Sequence, residues 1–155
     1  MTTAPTPLLL ITADPSHPLA YLALRYVRAF LQQAASTHEN KVNDRTYKSE
    51  NPDGSENDKQ PLHVFFYADA AHTANRLRWQ SADQTNLTQE WQNLAEQYQL
   101  SLPVCVSTAL SRGISDTDNS ARHQLNGENL AAGFHLVGLS ELAMMMQGNC
   151  RLIQF

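Results

Sequence analysis

The stretch PLLLITAD, residues 7–14, followed after Pro15 by SHPLAYLALRYVRAFLQQAA, residues 16–35, most constrains how this chain can fold. The first piece is a short, unbroken apolar run bounded by prolines and Asp14, the pattern of a strand buried on both faces. The second switches to helical spacing, with Leu19, Leu22, Ala23, Tyr26, Phe30 and Ala34 as the expected apolar face. Ser16 or His17 is placed to cap the helix, and Pro18 is tolerated in its first turn. A strand with no polar face needs helices above and below it, and parallel sheets built from strand–helix–strand units provide them.

The pattern continues along the chain. PLHVFFYADAA (61–71) reads as a second buried strand. NLTQEWQNLAEQYQL (86–100) reads as a helix capped by Asn86, with Gln89 at the capping-box position and Leu87, Trp91, Leu94, Ala95 and Tyr98 facing inward. LPVCV (102–106) is a third strand, 107–131 is short helices and loop, and GFHLVG (133–138) is a fourth strand. LSELAMMMQ (139–147) is a helix closed by Gly148, and CRLIQF (150–155) is a last strand. This order predicts one α/β doubly wound domain over residues 1–155, with a mainly parallel five-stranded sheet flanked by helices. Residues 37–60 are polar, carry charges of both signs and lack apolar anchors, which predicts a mobile surface insertion.

Several function classes fall away. Eleven Lys and Arg stand against fifteen Asp and Glu, with no basic block, so direct contact with nucleic acid is not expected; a role reached through a partner stays open. No apolar run approaches the roughly 20 residues of a membrane span, and the N-terminus has no basic n-region, so a cytoplasmic protein without a membrane partner is expected. The six histidines form no HxxxH pair and no cluster with cysteine, so no metal is expected. His63 and His135 lie inside strands, while His17 and His72 follow strands and read as surface or capping residues. GxGxxG and GxxxxGKS are missing, so no nucleotide or other cofactor is expected; without a GxSxG elbow, Ser107 and Ser111 are poor nucleophiles. Met144, Met145 and Met146 cannot all face one core, which points to exposure or a subunit contact.

The chemistry narrows to sulfur. The two cysteines, Cys105 and Cys150, make no disulfide framework and no CxxC motif. Cys105 stands at the carboxyl end of the third strand, the end where sites gather in such sheets. The residues after it, from Val106 onward, can open a helix whose backbone N–H groups and dipole favour a thiolate. Arg112 is a candidate source of further positive charge. The competing reading is a small, buried packing residue, a common fate for cysteine. Cys150 opens the last strand, at the opposite end of a parallel sheet, too far to pair with Cys105 and read as core.

Three segments carry a resemblance: VFFYADAAHTANRL, EWQNLAEQYQLSLPVCVSTALSRGISD and ENLAAGFHLVGLSELAMMMQGNCRLIQF. Together, in this order, they resemble the DsrE/DsrF-like family. The resemblance implies a sulfurtransferase subunit whose Cys105 accepts sulfane sulfur as a persulfide and relays it, with Ser107 and Arg112 as supporting residues. It implies a heterohexamer with TusB- and TusC-like subunits, a TusA-like donor and a TusE-like acceptor. The end use it implies is 2-thiolation of the tRNA wobble uridine, the tRNA being engaged only indirectly. A DsrE-like carrier in sulfur oxidation and a non-catalytic scaffold are the alternatives.

Overall fold

The computed structural model describes residues 4–43 and 60–155. Its centre is a five-stranded sheet in the order β4-β3-β2-β1-β5. The strands are β1 (Thr6–Ile11), β2 (His63–Phe66), β3 (Leu102–Cys105), β4 (Phe134–Val137) and β5 (Cys150–Gln154). Every pairing between neighbours is parallel, as the unbroken apolar runs require. The helices are α1 (Pro18–Asn43), α2 (Leu87–Tyr98), α3 (Val106–Leu110), α4 (Thr117–His123) and α5 (Leu139–Met145). No helix among the described residues is long and apolar enough to cross a membrane.

Alternation along the strands sorts the core into two layers. Leu9, Ile11, Val64, Phe66, Leu102 and Val104 face one side and pack against α1 and α2. Trp91 of α2 anchors that layer: it is buried, and its ring meets Phe66 edge-on with centroids 5.2 Å apart. Phe66 in turn meets Phe134 edge-on at 5.4 Å. Arg28 of α1 and Glu90 of α2 form an ion pair that joins the two helices. Leu8, Phe65 and Cys105 form the second layer on the opposite face, where α5 supplies Leu142 and Met145.

Caps follow the sequence closely. The Asn86 side chain accepts from the Gln89 N–H at 3.2 Å, and His17 Nδ1 accepts from the Leu19 N–H at 3.2 Å. Gly148 adopts φ +104°, a left-handed geometry that suits glycine, and turns the chain from α5 into β5.

Three expectations are corrected. The inward face of α1 is Ala20, Ala23, Leu24, Val27 and Leu31, whereas Leu19 and Leu22 are 43% and 49% exposed. The first turns of α1 are apolar all round, so spacing alone could not fix which stripe meets the sheet. The second strand stops at Phe66, and Ala68–Ala74 is a 3-10 helix. Ala68 takes φ +54°, which breaks the extended run, and Ala70, Ala71 and Ala74 are small enough to bury in the tight turn that follows. Finally, α1 continues to Asn43, seven residues into the stretch 37–60 expected as a mobile insertion; residues 44–59 of that stretch lie outside the described residues.

Trp91→Ala is expected to lower unfolding stability by about 3–5 kcal/mol, because it empties the contact between α2 and the sheet. Urea denaturation followed by circular dichroism checks this.

Candidate functional site

Cys105 ends β3 and occupies the N-cap position of α3, with φ −60° and ψ 118°. The strand ends here because Thr108 Oγ1 donates to the Cys105 carbonyl at 3.1 Å and turns the chain into α3. Ser111 Oγ repeats the device one turn on, donating to the Thr108 carbonyl at 3.1 Å. The strand–helix junction read from the sequence is therefore present. The helix is only five residues long, however, so it offers one turn of aligned peptide dipoles.

The thiol is not open to solvent. Cys105 is 1% exposed, whereas the sequence reading placed it within reach at the sheet's rim. Its side chain belongs to the second layer with Leu8 and Phe65, and Leu10, Tyr67, Val137, Leu142, Met145 and Cys150 pack against this cluster. Cys105 pairs with Val137 of β4, so an apolar neighbour flanks it within the sheet. A cleft of about 320 Å³ lies beyond the far end of α3, lined by Leu77, Leu110, Ile114 and Leu125 among others, and Cys105 does not line it.

The supporting residues separate. Ser107 is exposed on α3. Arg112 is held by Asp69: its Nε and Nη2 donate to Asp69 Oδ1 at 3.0 and 2.8 Å. Its Nη1 donates to the Thr108 carbonyl at 3.1 Å and to Ser111 Oγ at 3.2 Å. The guanidinium thus pins the end of α3 to the 3-10 helix, and its charge is already matched by a carboxylate. Asp69 lies 43 positions away in sequence and was missed, because nothing in YADAA marks its acid as an arginine partner.

Cys150 is half-buried at the start of β5, where it pairs with Thr6. The two thiols share an apolar cluster, yet both are free, and β2 and β1 stand between their strands. Three strand spacings alone amount to about 14 Å, well beyond disulfide reach.

At the carboxyl end of β1, Asp14 accepts from the Ser16 N–H at 2.8 Å and from the Ser16 hydroxyl. Burial works to raise its pKa, but these hydrogen bonds and the nearby charges of His72 and Arg78 outweigh it and hold the carboxyl below its ordinary value. Burial lowers the pKa of both strand histidines, and the Glu141 charge partly opposes this at His135. Among the described residues, no three His, Cys, Asp or Glu side chains gather as a metal would need.

The DsrE/DsrF-like family model matches residues 8–155. The chain belongs to the DsrE/DsrF-like family. Its relatives include Sulfurtransferase TusD of Sodalis glossinidius, 44% identical over 92 residues that cover 59% of this chain and 71% of that protein. Sulfurtransferase TusD of Pectobacterium carotovorum is also 44% identical over 92 residues, with the same coverage. The Sulfurtransferase TusD homolog of Vibrio parahaemolyticus is 40% identical over 92 residues, covering 59% of this chain and 70% of that protein. Among solved structures, the ychN protein from E. coli superposes with a TM-score of 0.67 at 18% identity, covering 97% of this chain and 99% of that one. The fold is therefore that of a DsrE-like α/β protein.

The histidine shifts set a pH dependence. Both folded-state values lie below the ordinary 6.5, so protons bind the unfolded chain first. Stability is full above that value and declines as the pH falls through it toward the lowered folded values. Urea midpoints measured from pH 7.5 to 5.5 are expected to fall, and His63→Gln is expected to flatten part of that slope.

Proposed function

We propose that this chain is a sulfur-carrying sulfurtransferase subunit and that Cys105 is the carrier. The observation that carries this reading is the relatedness to proteins named Sulfurtransferase TusD, in a chain that places a cysteine at the carboxyl end of a strand. The Cys105 thiolate attacks the outer sulfur of a donor persulfide. The donor's S–S bond breaks, its inner sulfur leaves as a thiolate, and a new S–S bond forms on Cys105. An acceptor thiolate then attacks the outer sulfur of that persulfide and releases the Cys105 thiolate. Each step consumes one thiolate and yields one, so neither oxidant nor metal is required.

In this reading the partners are TusB- and TusC-like subunits in a heterohexamer, a TusA-like donor and a TusE-like acceptor, and the sulfur ends in the 2-thio group of a tRNA wobble uridine. The exposed Leu77 and Trp79 supply apolar surface for such subunit contacts. A second reading, a scaffold with an inert cysteine, draws support from the 1% exposure of Cys105.

Intact-mass analysis after incubation with a persulfide donor separates the two. The wild type is expected to gain about 32 Da, the mass of one sulfur, through thiolate exchange. Cys105→Ser is expected to gain nothing and Cys150→Ser to gain as much as wild type. A label that follows Cys150 instead, or no label on any form, overturns the assignment.

A further inference from the structure

A sulfur carrier must meet two partner thiols, yet Cys105 lies sealed at 1% exposure. Something over it has to move, and the structure limits what that can be. Within the sheet, Cys105 is laddered to β4 through its pairing with Val137. On the α3 side, Arg112 fastens the helix to Asp69, and Thr108 fastens it to the Cys105 carbonyl. Those sides are fixed by hydrogen bonds.

The face that Cys105 shares with Leu8 and Phe65 also carries Leu142 and Met145 of α5, and that helix is held differently. None of its residues is buried. Leu142 and Met145 touch the cluster around Cys105 while staying half-buried, and Met144 is 59% exposed. Among the described residues, no α5 side chain makes a hydrogen bond or an ion pair with the sheet; Glu141 acts on His135 only through its charge.

We infer that α5 is a movable cover over Cys105, and that partner sulfur reaches the thiol from the α5 side of the sheet when Leu142 and Met145 lift away. This rests on Cys105 being the carrier, but the cover can be tested without sulfur transfer. Apolar contact without a hydrogen bond to the sheet holds the cover, so trimming it should raise the open population while the opposite core layer stays intact.

The experiment uses the Cys150→Ser protein, in which Cys105 is the sole thiol, and follows iodoacetamide labelling by intact mass. The parent is expected to label far more slowly than free cysteine. Met145→Ala and Leu142→Ala are each expected to speed labelling about tenfold, the scale of losing a partly buried apolar side chain. Trp91→Ala, which weakens the other layer, controls for global unfolding. Labelling of the parent at the free-thiol rate, no acceleration in either α5 variant, or acceleration that simply tracks the loss of unfolding stability across the α5 variants and Trp91→Ala would each overturn the cover. Persulfide loading run in parallel keeps the two readings apart. Absent loading with cover-dependent labelling sinks the carrier alone, whereas loading at a rate unchanged by the α5 variants sinks the cover.

Discussion

Parallel pairing forces every connection in this sheet to cross a face. The steps from β1 through β4 all move in one direction, so right-handed crossovers place α1 and α2 on the same side. The last step runs back from β4 at one edge to β5 at the other, and the same handedness sends α5 across the opposite face. One layer is thereby filled by long helices and Trp91, and the other by a seven-residue helix with nothing buried. Cys105 lies in the lightly covered layer.

That placement bears on how a sulfur relay would work here. A persulfide exchanges with any thiolate that reaches it. In the proposed relay, apolar packing around Cys105 would keep stray thiols and water from the loaded sulfur, and a cover without hydrogen bonds would yield to a partner that offers its own apolar surface. The rigid side of the site, fixed by Arg112 and Asp69, keeps the strand–helix junction in place meanwhile. Arg112 therefore contributes to architecture, with its charge committed to a carboxylate.

How far the sequence could be read depended on whether the information was local. Unbroken apolar runs gave the parallel sheet, and Asn86 with Gln89 marked the start of α2, because each signal lies within a few residues. The inward stripe of α1 was ambiguous, since Leu19, Ala20, Leu22, Ala23 and Leu24 offer several apolar stripes to choose from. The end of β2 was hidden because ADAA prolongs the apolar run, and the left-handed turn at Ala68 leaves no trace in composition. At the candidate site, the junction at Cys105 was legible. Its burial was not, because that depends on Leu8 and Phe65 far upstream and on Val137, Leu142 and Met145, more than thirty positions downstream.

The run from β4 to β5 also limits how far α5 can travel. Four strand spacings and the length of a strand put its two anchor points roughly 24 Å apart. A helix rising about 9 Å, with extended residues on either side, spans about 33 Å when drawn taut. The slack lets the midpoint rise by roughly 10 Å at most, enough to clear a side chain but not to leave the sheet. The helix is on a leash, so the proposed opening would be a short stroke.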